Sequence, residues 1–115
     1  MVVNQQSEDD VDRLFRALAD ATRRDIVTRV LVAEFSVSGL AEHYAMSFAA
    51  VQKHVAVLER AHLVTKEKRG REQIVRGRVD GVQRARRLLD DYEGIWRRRV
   101  DRIGDILAEG AGDDD

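Results

Sequence analysis

The sequence predicts a mainly α-helical single domain that carries one small β-hairpin. Three observations predict it. Apolar residues recur at helical spacing through most of the chain, one short central stretch alternates instead, and there is no proline to interrupt a helix. A chain of 115 residues has room for one modest core and little beyond it.

The elements follow in order. Val11, Leu14, Phe15 and Leu18 share one face of a first helix from about Asp9 to Ala19. Asp9 and Asp10 sit where negative charge favours a helix start. Thr22 is the expected cap of a second helix through Ile26, Val27, Val30 and Leu31. Ser36 or Ser38 caps a short third helix carrying Leu40, Ala41 and Tyr44. Ser47 is a strong N-cap for a fourth helix, which places Val51, Val55 and Leu58 on one face. Alternation then takes over from Leu63 to Lys68 and again from Gln73 to Val79. Arg69-Gly70-Arg71-Glu72 lies between, so the segment reads as a hairpin turning at Gly70. After Asp80-Gly81, Ala85, Leu89, Tyr92, Trp96, Val100, Ile103 and Leu107 recur in steps of three and four, a long helix with a narrow apolar seam. Gly94 and Gly104 weaken it locally. Residues 1–8 are expected to be a flexible acidic N-terminus, 9–109 the folded domain and 110–115 a disordered acidic tail.

Charge is unevenly spread along the chain. The formal total is −1, but eight acids lie at the ends: Glu8, Asp9, Asp10, Asp12, Glu109, Asp113, Asp114 and Asp115. Between them, 20 basic residues face 13 acidic ones, so residues 13–108 carry +7. A basic body with acidic ends is compatible with a nucleic-acid partner despite the total. The absence of cysteine excludes disulfides, thiolate metal sites and a cysteine nucleophile. No apolar run reaches the ~18 residues of a membrane span, and the polar stretch Asn4–Ser7 is unlike a signal peptide, so no membrane partner and a cytoplasmic location are expected. No Gly-rich phosphate loop, zinc motif or catalytic serine–histidine arrangement marks an enzyme, and no cofactor is implied.

A short helix, a turn and a helix with a buried i, i+4, i+7 face make a helix-turn-helix. The first helix of the pair braces the second, whose exposed side can enter a major groove roughly 12 Å wide. The hairpin that follows would be a wing. It is rich in base, with Arg60, Lys66, Lys68, Arg69, Arg71, Arg76 and Arg78 against Glu67 and Glu72. The fold class is therefore a winged helix-turn-helix of five helices plus wing.

Two stretches then resemble a known family. Leu18-Ala19-Asp20-Ala21-Thr22-Arg23-Arg24-Asp25-Ile26-Val27 is similar to the "LADPTRRRIL" opening of ArsR/SmtB-type winged-helix regulators. Leu40 to Glu59, including Met46-Ser47-Phe48-Ala49-Ala50-Val51-Gln52-Lys53-His54, resembles their "LAE…MSQPAVSKHLKVLE" core, and Ala61-His62-Leu63-Val64 with the Arg-Gly-Arg wing continues the match. The likeness spans roughly residues 11–107. It implies a transcriptional regulator, a repressor, that binds an inverted-repeat operator in double-stranded DNA as a homodimer, with a small-molecule effector of unknown identity left open.

Carried over residue by residue, the resemblance makes Ser47 to Ala61 the recognition helix. Phe48, Ala49, Gln52, Lys53 and His54 are then its outward positions. Gln52 suits adenine and Lys53 guanine or a phosphate. Phe48 and Ala49 depart from the family's polar residue and proline, Ala21 from its proline, and His62 from its common glycine. Lys68, Arg69 and Arg71 are the wing's expected DNA contacts. Thr22, Arg23 and Arg24 at a helix start either clamp a phosphate with the free amides there, or Thr22 simply caps the helix. His54 is read as a phosphate or packing residue before a base contact, and His43 and His62 as surface or capping residues. The resemblance also places metal ligands in some relatives on cysteines of the third helix or on histidines and carboxylates of the last. This chain has no cysteine, and no histidine after Gly81, so no metal is expected.

The seams of the first and last helices exceed what one small domain can bury. A two-fold dimer would cover them with Val11, Leu14, Phe15, Leu89, Tyr92, Trp96, Val100, Ile103 and Leu107. Tyr92 and Trp96 are taken as packing residues rather than a ligand pocket, and Arg97-Arg98-Arg99 as a solvated face. The competing function is a protein-interaction dimer without DNA binding, to which the apolar Phe48-Ala49-Ala50 lends some support.

Overall fold

A computed structural model describes residues 5–112. The order is α1 (Gln5–Leu18), α2 (Ala21–Val32), β1 (Phe35–Ser36), α3 (Val37–Ala41), α4 (Phe48–Arg60), β2 (Val64–Arg69), β3 (Glu72–Gly77) and α5 (Val79–Gly112). The fold is mostly helical, with an antiparallel sheet in the strand order β1-β3-β2. It divides into two compact units, one ending at Ala85 and the other beginning at Arg86. The first turns of α5 belong to the first unit, and the rest of the helix forms the second.

Several boundaries differ from those the sequence predicts. Helix α1 begins at Gln5 rather than Asp9, and α5 continues to Gly112. The remainder of the expected terminal segments, residues 1–4 and 113–115, lies outside the described residues. Helix α2 is capped by Asp20 and not by Thr22: Asp20 Oδ1 accepts the Arg23 N–H at 2.9 Å. A carboxylate at this position both satisfies a free amide and faces the positive end of the helix dipole, which a hydroxyl at the second helical residue cannot do. Helix α3 is only five residues long and leaves Tyr44 outside it. Of its two candidate caps the chain uses Ser36, whose Oγ accepts the Gly39 N–H at 2.9 Å. The bonds His43 N–H to Leu40 O and Tyr44 N–H to Ala41 O close the helix with tight turns.

The core of the first unit draws on its four helices α1 to α4 and on the hairpin, with Phe35 of β1 packed against it. Leu14 and Ala17 of α1, Ile26 and Val30 of α2, Leu40 of α3, Val51, Val55 and Leu58 of α4, and Val64 and Val75 of the sheet are all buried. Burial of one such leucine contributes about 1.5–3 kcal/mol, against about 1 kcal/mol for a cap, so the core holds the unit together while the caps decide where helices begin. Leu14, expected at a dimer interface, is 1% exposed within the single chain and is spent on this core.

The hairpin turns through Gly70 and Arg71, with Arg69 opposite Glu72. Gly70 has φ of 59°, and a glycine of positive φ at the first central position is what a type II′ turn requires. Strand β1, too short to show any alternation, pairs with β3 through Phe35 opposite Val75. Gly77 lets β3 approach α2, since a Cβ there would lie 2.7 Å from Leu31 Cδ2 and 2.9 Å from Leu31 Cα.

Candidate nucleic-acid interface

Helix α4 is fixed from both sides. Ser47 Oγ accepts the Ala50 N–H at 3.1 Å and starts the helix. Val51, Val55 and Leu58, fully buried, orient it. Gln52 and Lys53, which fall between the buried valines, are exposed, as are Phe48 and Ala49. The Phe48 ring is 47% exposed, so it is not folded away against the protein. Lys53 has no ion-pair partner among the described residues.

His54 is different. It is partly buried, with Nδ1 3.2 Å from Arg23 Nη1. Arg23 itself is held by the protein: Nε donates to Ala17 O at 2.9 Å and Nη2 to Arg16 O at 2.8 Å. Arg24 Nη1 donates to Leu18 O at 2.7 Å. The two neighbouring arginines therefore cap the last carbonyls of α1, a helix that ends without a glycine. The Arg23 side chain at this helix start is thus engaged with the protein's own carbonyls. The Arg23 amide is taken by Asp20, whose carboxyl that hydrogen bond holds below its ordinary range, so a negative charge already occupies this helix start. Simple capping by Thr22, the other expectation, is not what occurs, since Asp20 is the cap.

The wing separates into two faces. Cross-strand partners share a face, so Val64, Lys66 and Lys68 lie with Gln73 and Val75, while Thr65, Glu67 and Arg69 lie with Ile74 and Arg76. Because Val64 and Val75 are buried, the lysine face is the one turned towards α4, and Lys66 Nζ reaches Glu59 Oε1 of that helix at 4.0 Å. On the opposite face Arg69 and Arg76 form a closed network with Glu34 and Glu67. Arg69 Nη1 and Arg76 Nε meet the two oxygens of Glu34 at 2.9 Å each, and Arg76 Nη2 meets Glu67 at 2.6 Å. The Arg69 hydrogen bond holds the Glu34 carboxyl below its usual range, and Arg76 does the same for Glu67. Arg69, expected to contact DNA, is thus occupied by two carboxylates. Lys68 and Arg71 have no such partner among the described residues and remain as cations open to a phosphate.

Tyr44, which the sequence offers only as an apolar residue, fastens the turn before α4. Its hydroxyl donates to Asp25 Oδ2 at 2.6 Å, and Asp25 also accepts from Arg29 Nε at 2.9 Å. Burial, with the Asp25 bond behind it, pushes the phenol up to about 12. No spacing signal points from Tyr44 to Asp25, nineteen residues away. Among the described residues, no group of three or more His, Asp or Glu side chains is placed to hold a metal ion, and no helix is long and apolar enough to cross a membrane.

In the second unit, Leu89, Tyr92, Trp96, Val100, Ile103 and Leu107 line one side of α5 and are all exposed, Trp96 at 58%. Ile95 and Ile106, outside the expected seam, are exposed as well. Arg97 pairs with Glu93, and the Arg99 guanidinium stands 5.9 Å from the Trp96 ring centre.

A short helix, a fastened turn, a helix with a free outer face and a basic hairpin define a winged helix-turn-helix DNA-binding protein. Comparison with known proteins agrees. The HTH-type transcriptional regulator Rv2034 of Mycobacterium tuberculosis is 33% identical over 103 residues, covering 90% of this chain and 92% of the relative. An ArsR-like transcriptional regulator from Rhodococcus sp. RHA1 superposes with a TM-score of 0.79 at 30% identity, covering 93% of this chain and 98% of that one. The homodimeric winged helix-turn-helix DNA-binding domain Mb0332 of Mycobacterium bovis, 22% identical, shares the fold with a TM-score of 0.63 over 82% of this chain and 91% of its own. No family model matches the chain. The chain belongs to the ArsR family of transcriptional regulators, and these relatives are regulators rather than enzymes.

Proposed function

We propose that this protein is a cytoplasmic repressor that binds an inverted-repeat operator in double-stranded DNA as a homodimer. The observation that carries the reading is the outer face of α4, where Gln52 and Lys53 stand exposed, without a partner among the described residues, above a fully buried Val51, Val55 and Leu58. With α4 in the major groove, the Gln52 amide pairs with adenine and Lys53 reaches guanine or a phosphate. Lys68 and Arg71 supply wing contacts to the sugar–phosphate backbone, which fix position without reading sequence. His54, tied to Arg23, sets the lateral position of the helix. The apolar side of α5 and the partly exposed Val11 and Phe15 of α1 are the surfaces offered to a second copy, and the M. bovis domain of the same fold is homodimeric. Two recognition helices about one DNA turn, roughly 34 Å, apart read the two halves of a palindrome, and occupancy of the promoter excludes polymerase.

The test pairs two variants on two duplexes, one selected from a random pool by the protein itself and one scrambled. Gln52→Ala removes a base contact and costs about 1–3 kcal/mol on the selected duplex, with little change on the scrambled one. Arg71→Ala weakens both alike and lowers the magnitude of the salt slope by about one per protomer. If both variants bind both duplexes as the parent does, α4 and the wing do not read DNA, and the interaction-dimer reading replaces this one.

A further inference from the structure

Helices α1 and α4 pack against each other, and a cleft of about 240 Å³ opens between them, lined by Arg13, Arg16, Val57 and Arg60. Arg13 and Arg16 are neighbours one turn apart on α1, as Val57 and Arg60 are on α4. Three guanidinium groups therefore border one small volume, where their mutual repulsion favours an anion among them. The protein supplies little neutralisation of its own. Arg13 Nη1 meets Asp10 Oδ1 at 3.1 Å, but Asp10 is shared with Arg84 at 3.6 Å. Arg16 and Arg60 have no ion-pair partner among the described residues. Arg23, hydrogen-bonded to the Arg16 carbonyl, adds a further cation beside the cleft. Val57 contributes neither donor nor acceptor, so the polar atoms of an occupant are met by arginines alone.

Planar guanidinium forks match the oxygens of a phosphate in geometry as well as charge. The volume accommodates such a group with ordered water at about 30 Å³ each. Arg60 relates the cleft to the groove-facing side of α4. It follows Lys53 by seven residues, which on a helix returns to within about 20° of the same direction, about 10 Å further along the axis.

We propose that this cleft is a phosphate-binding site and that in the DNA complex it holds a backbone phosphate next to the segment lying under α4. The proposal rests on α4 being the DNA-reading helix.

The double variant Arg16→Gln/Arg60→Gln is compared with the parent and with Arg16→Lys/Arg60→Lys on the selected and scrambled duplexes across a salt series. The expected result is weaker binding of both duplexes by the glutamine variant and a salt slope reduced in magnitude by about 1.8, the share of one phosphate in each protomer of the dimer. The lysine variant recovers the slope. Unchanged thermal unfolding of the variants separates this from loss of fold. Gln52→Ala, run in parallel, separates the two claims. If it loses the selected duplex while the glutamine variant keeps the parental slope, only the cleft assignment is overturned; if it too has no effect, the reading of α4 has failed. A second arm titrates the parent with sodium pyrophosphate in the absence of DNA. Stabilisation of the parent but not of the glutamine variant, with an unchanged DNA slope, overturns the backbone assignment in favour of a small-phosphate site.

Discussion

His62 occupies a backbone position that favours glycine, with φ of 59°. The bonds around it explain why. Its N–H donates to Glu59 O at 3.1 Å and the next N–H, of Leu63, to Leu58 O at 3.1 Å, the two reverse bonds of a Schellman cap, with Leu58 and Leu63 both buried beside them. A left-handed residue with a side chain costs roughly 1–2 kcal/mol, partly offset by the greater freedom of glycine in the unfolded chain. His62→Gly should therefore raise stability in urea by up to about 1 kcal/mol, whereas β-branched His62→Val should lower it. Family likeness marks this position, but only the bonds disclose its strain. Asp20 shows the reverse. The sequence offers Thr22 as the cap, and the carboxylate two residues earlier takes that place instead. The Asp20 carboxyl is held below its ordinary range, chiefly by the Arg23 amide. A lowered folded-state pKa gives stability that is complete above the unfolded value and is lost as pH falls through the folded one. Urea midpoints from pH 5 downward should fall more steeply for the parent than for Asp20→Asn, which keeps a capping oxygen that does not titrate. Equal slopes would contradict this role for Asp20.

The long elements were legible in the sequence because their apolar faces repeat often enough to fix both type and orientation. Val51, Val55 and Leu58 give α4 its inner side unaided, and the alternation about Gly70 gives the hairpin. Short elements escape this logic. Five residues of α3 and two of β1 are shorter than the repeats they would need, and their extents are set by Tyr44 reaching Asp25 and by Phe35 pairing with Val75. The candidate site divides in the same way. Exposure of Gln52 and Lys53 follows from periodicity. The difference between Arg69, held by Glu34, and Arg71, left open, depends on a partner thirty-five residues away that no spacing announces. Arg13 and Arg16 carry no sequence signal for a similar reason, since only packing brings Arg60 to them. Helix α5 carries its own prediction. Trp96 lies at the middle of an exposed apolar side, so Trp96→Asp alters no core of the single chain and should give monomers or insoluble protein in sedimentation runs where the parent is a dimer. A monomeric parent at micromolar concentration would refute the dimer.

At the scale of the whole molecule, charge decides the account more than composition does. The total of −1 would suggest an indifferent surface, yet the acids collect at the ends and in pairs with arginines, leaving Lys53, Lys68, Arg71, Arg16 and Arg60 without partners among the described residues. Such a distribution suits phosphate contacts to any duplex, while the proposed reading of one sequence rests on Gln52 and Lys53. The most direct measurement is fluorescence anisotropy with a duplex selected by the parent protein and a scrambled duplex of equal length, each titrated from 50 to 200 mM salt. The expected result is a steep loss of affinity with salt on both, and binding of the selected duplex at least about 10³-fold tighter at every salt concentration. Affinity that ignores salt, or that is equal for the two duplexes, would contradict it.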